Sequence, residues 1–531
     1  MKAALHCGLT ICLLLATAFL DSGCKPDAQR ADLVFLNGAE PESLDPALIT
    51  GQPEERVVSS LFEGLLAFDS AAHPQPGVAE TWEISADKRV YTFHLRHNAL
   101  WSNGDPVTAN DFAASWKRAL QPETASDYAS QLYFIKNGQA YNEGTLKDFS
   151  QVGVRVVDDF TLEVTLTNPT PFFLDLCAFP TLYPVHMQSV QKYGDDWIKP
   201  GKLVCNGPFT LEAWRINDRI RLVKNPRYWD AAHVSLRTVD VLPTGNANTA
   251  LNFYIMGLAD LMMDKGLVPV SLVTDLQKRP DFHAAPFLGT YFLRFNCTRP
   301  PFNDPRVRKA FALVIDKNLL VKKITRAGEP VASSFVPPGT AGYTSPPGLD
   351  RDPELARKLL AEAGYPDGKN FPRITYLYDD RELNEKLAIE LQGMFSRELG
   401  VNVGLLKQEW KVYLNSMSQL DFDMCRSSWV GDYADANTFL NMFVTGDGNN
   451  RTGWSDPTYD HLIDDAAREP DTQKRFDIFR KAEKILVHDE APICPLYFYV
   501  GIQLYDPNKL GGIQANLLDE HPLKAMYRKD Q

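Results

Sequence analysis

From residue 25 to residue 531 the chain shows no internal repeat and no low-complexity linker. A single hydrophobic core stops growing beyond about 250–300 residues. A stretch this long must therefore divide into two or more lobes that pack directly on one another. Alternating segments such as Tyr91-Thr-Phe-His-Leu95 and Thr161-Leu-Glu-Val-Thr-Leu166 read as half-buried strands. Between Thr472 and His488, Phe476, Phe479, Ala482, Ile485 and Leu486 recur at helical spacing, with Asp471 or Thr472 as the cap. Asn103-Gly104-Asp105-Pro106, Pro337-Pro338-Gly339 and Pro346-Pro347-Gly348 mark turns and loops. Strands mixed with helices over such a length predict an α/β protein of several lobes.

The first residues predict the compartment. Lys2 precedes the apolar run Leu9-Thr-Ile-Cys-Leu-Leu-Leu-Ala-Thr-Ala-Phe-Leu20, which is followed by Asp21-Ser22-Gly23-Cys24. A basic start, a short apolar core and a small-residue exit predict a secretory signal peptide over 1–23, too short to span a bilayer. Ser22-Gly23-Cys24 resembles a bacterial lipobox, which would make Cys24 the lipidated residue; the position three before it, usually apolar in that pattern, is Asp21. No later stretch is long and apolar enough to cross a membrane. Of the eight cysteines, Cys7 and Cys12 would leave with the signal. The odd set that remains besides Cys24 (Cys177, Cys205, Cys297, Cys425, Cys494) leaves at least one thiol unpaired in an oxidising compartment. No CxxC pair points to zinc or to thiol exchange.

Charge and motifs exclude more than they select. Lys and Arg number 55 against 67 Asp and Glu, a formal net charge of −12. This balance argues against nucleic acid, whose binders need cations to neutralise phosphates. There is no GxSxG, GxxxxGK[ST], GxGxxG or HExxH. Ser189-Val-Gln-Lys192 has β-lactamase spacing without the partner motifs. His488-Asp-Glu490 before Pro492-Ile-Cys494 lacks the second cysteine of a deaminase zinc site. No catalytic residue, metal site or cofactor is therefore expected, and the weight moves toward binding without chemistry.

Several blocks carry a resemblance. Gly77-Val-Ala-Glu80-Thr-Trp82, Tyr91-Thr-Phe-His-Leu-Arg96 and Trp101-Ser-Asn-Gly-Asp-Pro-Val-Thr-Ala-Asn-Asp111-Phe112 follow Leu61-Phe-Glu-Gly-Leu-Leu66. Asn206-Gly-Pro-Phe209, Lys224-Asn-Pro-Arg-Tyr-Trp-Asp230, Arg299-Pro-Pro-Phe-Asn-Asp-Pro-Arg-Val-Arg308-Lys-Ala310 and Trp429-Val-Gly-Asp432-Tyr433 come next, in family order. Together they resemble the extracytoplasmic oligopeptide-binding proteins of ABC importers over residues 32 to 505. The resemblance implies an α/β, two-lobed periplasmic-binding-protein clamp of type II-like form with an extra third domain. By this likeness lobe I takes 25–62, 187–288 and 500–531, the extra domain 63–186, and lobe III 289–499. The chain crosses between lobes more than once, which makes those crossings a hinge.

A protein that holds peptides regardless of side chain must pair with what all peptides share: backbone groups, a terminal ammonium and a terminal carboxylate. A buried ammonium requires a carboxylate. The resemblance puts Asp432 in that role, although a loop carboxylate is by default a solvated surface group. It puts Arg426 at the ligand carboxylate, a task that suits a planar guanidinium; otherwise Arg426 is a surface residue of an alternating strand. Trp410, Trp429, Tyr128 and Tyr499 match positions that line the cleft, where aromatic walls and hydroxyls meet the ligand; the alternative for each is a core role. Ser428, Gly51 and Gln52 would offer main-chain partners. Close relatives carry further basic residues where this chain has Asn384 and Met417, a glutamate where it has Thr50, and a cysteine where it has Val430.

These readings give an exported, non-enzymatic monomer. It would capture oligopeptides in the periplasm, anchored there by Cys24, and deliver them to ABC permease subunits driven by cytoplasmic ATPases. Two alternatives stand beside it: a specialised binder of cell-wall (murein) peptides or another oligomeric nutrient on the same scaffold, and an exported peptidase.

Overall fold

The computed structural model describes residues 30–529; the expected signal segment and Cys24 lie outside them. Its main feature is a ten-stranded mixed sheet. In spatial order the strands are Val403–Gln408, Ile374–Asp379, Met424–Val430, Phe282–Phe295, Ile493–Leu504, Leu261–Met262, Leu33–Leu36, Thr238–Leu242, Arg219–Lys224 and Phe209–Arg215. The two central strands, of 14 and 12 residues, are longer than the rest and run antiparallel. One end of the pair joins the strands around Leu33–Leu36, and the other joins Met424–Val430 and Ile374–Asp379. Their register slips between Pro286 and Thr290, next to the expected lobe boundaries at 288/289 and 499/500.

Ile493–Leu504 is buried at every position, as is Leu33–Leu36. Strands covered on both faces read as apolar runs rather than alternations. By contrast, Val90–Leu95 and Thr161–Thr165 alternate as their sequences predict. With Ala79–Ile84 and Val154–Asp158 they form a separate four-stranded antiparallel sheet inside segment 63–186. Its inward Tyr91, Phe93, Leu162 and Val164 share one core with Leu33, Phe35, Leu61, Phe209 and Val239, so this segment is fused to its neighbour by apolar packing.

The predicted C-terminal helix spans Thr472–Lys484 and continues as one wider turn through Asp489. Asp471 caps it, accepting from the Lys474 N–H at 2.9 Å. At Gly104 the backbone takes φ +104°, which glycine adopts without strain, and the Leu100–Pro106 bridge closes the turn. All five described cysteines are free thiols, and all but Cys297 are buried. No helix among the described residues is long and apolar enough to cross a membrane.

Candidate ligand-binding site

A cleft of about 1400 Å3, counting the space open to solvent, lies between the two halves of the large sheet. The structure brings Gly51, Gln52, Tyr128, Trp410, Arg426, Ser428, Trp429, Asp432 and Tyr499 together on its walls, with Thr50, Asn384, Met417 and Val430. The strand Met424–Val430 pairs along its whole length with Phe282–Phe295. On its other side, pairing with Ile374–Asp379 covers only Met424 and Cys425. From Arg426 onward that edge has no strand partner among the described residues and borders the cleft. Such an edge presents N–H and C=O groups that an extended segment can complete.

Asp432 stands at the end of this edge. Its Oδ2 accepts from Gln131 Nε2 at 2.9 Å and from the Thr438 hydroxyl at 3.3 Å, and its Oδ1 accepts from the Tyr128 hydroxyl at 3.3 Å. These neutral donors orient the carboxyl without neutralising it, and no ion pair reaches it among the described residues. Burial pushes Asp432 up to about 8 against these hydrogen bonds, which pull it down. Glu55, on the first turn of the helix Gln52–Leu61, is pushed to about 8 by burial and then by the charge of Asp432. Glu520 is raised too, by burial and by Glu55. Asp432 and Glu55 are therefore held protonated near neutral pH, and ionisation there is favoured only when a cation arrives beside them.

Arg426 is set differently. It is buried, and its Nε lies 3.0 Å from Asp379 Oδ1. This corrects the surface-residue alternative. Strand Ile374–Asp379 delivers Asp379 to the site, where it also meets Arg381 Nε at 3.1 Å and accepts from Asn384 Nδ2 at 2.6 Å. Arg381 reaches Asp264 at 3.2 Å. The guanidinium of Arg426 lies 5.5 to 5.9 Å from the rings of Tyr291, Trp410 and Tyr413.

The aromatic residues tie the walls to one another. Trp410 opens the helix Trp410–Ser418, stacks on Tyr413 and donates from Nε1 to Glu54 Oε1 at 3.3 Å across the cleft. Gly51 permits this approach, because a Cβ there would sit 3.0 Å from the Trp410 ring and 2.3 Å from Glu54 Oε2. Trp429 donates to the Thr438 carbonyl at 2.8 Å and lies 5.9 Å from the Tyr128 ring. Tyr499 packs on Phe287 and Tyr291.

Sequence reasoning missed Gln131, Thr438, Asp379, Arg381, Glu55 and Glu520. The run Asp379-Asp-Arg381 straight after an apolar strand was a usable signal, since charges at a strand end face a sheet rim. The paired Glu54-Glu55 in a helix first turn is ordinary there, which hid it.

With the geometry in hand, known proteins place the chain. The family description for bacterial extracellular solute-binding proteins, family 5 middle, matches residues 73–451. The periplasmic oligopeptide-binding protein OppA of Salmonella typhimurium is 39% identical, over 99% of this chain and 98% of that protein. Haemophilus influenzae OppA in complex with RPPGFSPFR superposes with a TM-score of 0.90 at 33% identity, covering 94% of this chain and 99% of that one. The unliganded open form of the periplasmic murein tripeptide-binding protein MppA reaches only 0.62 at 37% identity, covering 94% and 98%. As a whole the chain thus superposes better on the peptide complex than on the unliganded open form, although the latter is the more similar sequence. The chain is an α/β solute-binding clamp and belongs to the bacterial extracellular solute-binding proteins of family 5.

Proposed function

We propose that this protein captures oligopeptides in its cleft and delivers them to an ABC permease for import. The observation that carries the reading is Asp432: a half-buried carboxyl, without a cation, at the end of an unpaired strand edge on the wall of the cleft. A peptide lying along that edge supplies the missing strand and sets its α-ammonium on Asp432. Trp410, Trp429, Tyr128 and Tyr499 form rigid walls around its side chains, while Ser428, Gly51 and Gln52 offer main-chain groups. Arg426, already held by Asp379, faces the carboxylate end.

Segments 25–62, 187–288 and 500–531 act as one lobe, 289–499 as the other, and 63–186 as a domain fused to the first. The two long strands act as the hinge on which they close. Contacts that span the cleft, such as Trp410 with Glu54, belong to the closed form that the permease recognises. The protein works without catalysis, as a monomer outside the cytoplasm, and Cys24 tethers it there by a lipid. Mass spectrometry of what freshly purified protein releases on denaturation tests this: a mixture of intact short peptides is expected. A non-peptide species as the sole ligand, or cleavage of added peptides, would contradict it.

A further inference from the structure

Arg294 lies on the central strand Phe282–Phe295, is 2% exposed and lines the cleft. Its Nε donates to Ser427 Oγ at 3.0 Å, and its Nη1 donates to the carbonyls of Asn449, at 2.6 Å, and Asn450. Its Nη2 finds no acceptor among the described residues. Nor does any carboxylate form an ion pair with Arg294 among them, whereas Arg381, Arg426 and Arg451 each have one. Burial pushes its guanidinium down only to about 10, so it stays cationic at neutral pH. A buried cation without a counter-charge is costly. Ser427, 3% exposed and also lining the cleft, spends an oxygen lone pair on Arg294 and keeps its own hydrogen to donate.

We propose that Arg294 and Ser427 form an anion subsite that takes an aspartate or glutamate side chain of the bound peptide. The inference rests on the peptide-binding reading and adds a side-chain preference to it. Neighbouring residues of a strand point to opposite faces, so Ser427 lies on the other face from Arg426 and Ser428. A ligand strand along the same edge alternates likewise. The acidic side chain therefore belongs to a residue other than the one facing Arg426, some way in from the end held by Asp432.

Calorimetry on the purified protein tests this with penta-alanine and with variants carrying Glu or Gln at each of positions 2 to 5. At one position Glu is expected to bind about tenfold or more tighter than Gln, the gain of a charge-assisted hydrogen bond. That ratio is expected to collapse to near unity in Arg294→Met and to narrow in Ser427→Ala. Equal binding of Glu and Gln at every position, or a ratio that survives Arg294→Met, overturns the subsite. Should Arg294→Met fail to fold, since it also releases two carbonyls, an unchanged ratio in Ser427→Ala overturns it instead. If penta-alanine does not bind at all, the peptide reading falls and takes this inference with it; if it binds with no Glu preference, this inference falls alone.

Discussion

The two ends of the cleft carry ionisable groups of opposite kind and treat them differently. Around Asp432, the carboxyls of Asp432, Glu55 and Glu520 stand together with no ion pair among the described residues, and burial raises all three. Around Arg426, two arginines share Asp379, and Arg381 also takes Asp264. The first end keeps its carboxyls protonated near neutral pH until a cation arrives, whereas the second is neutralised by ion pairs from within. A carboxyl that ionises at a cost in the free state rewards the cation that pairs with it, while an ion pair already made offers direction at little net gain. Such a cleft fixes where a peptide begins more firmly than where it ends.

Removing the carboxylate should break the comparison most strongly. Asp432→Ala is expected to cost at least about a hundredfold in peptide affinity by calorimetry, because a buried ammonium left unpaired costs about 3–5 kcal/mol. At the other end, Asp379→Ala strands Arg426 and Arg381 together. It is expected to destabilise the protein by about 3 kcal/mol in denaturant titration, from the same loss of a buried partner. Binding there should follow the fall in stability rather than mirror Asp432→Ala.

Acidity sharpens the contrast at smaller cost. The folded state holds Asp432 at about 8, above an ordinary carboxyl, so it carries an extra proton from about pH 4 up to that value. The unliganded protein should therefore lose stability as pH rises through this window, and Asp432→Asn should flatten that slope in thermal melts. Peptide affinity should move oppositely, weakening by up to about tenfold per pH unit below 8, because pairing with an ammonium must expel the proton. Calorimetry in two buffers of different ionisation enthalpy would register that release. The smallest effect is expected from amidating the peptide's carboxyl end, a loss of about tenfold or less, since Arg426 already has its counter-ion.

Much of this was legible in the residues, and the gaps have physical causes. Half-buried strands such as Val90–Leu95 announced themselves by alternation, and Asp471 by its capping position. The long strand Ile493–Leu504, buried on both faces, has no alternation to read. Asp432, Trp410 and Trp429 were found through a family pattern, not through their own local chemistry. Asp379 converts Arg426 from an open cation into half of an ion pair, yet it lies on a different strand, and only the sheet order joins them. Glu55 and Glu520 sit far apart in sequence, and their shared wall exists only after folding.

The central claim is that the half-buried, cation-free carboxyl of Asp432 receives the α-ammonium of a peptide. The most direct measurement compares one tetrapeptide with a free and an acetylated amino terminus by calorimetry, on wild-type protein and on Asp432→Asn. The account predicts that acetylation weakens wild-type binding at least about a hundredfold and costs the Asp432→Asn protein little further, as expected of two changes that remove one shared interaction. Acetylated and free peptides binding the wild type within a few-fold of each other would contradict it.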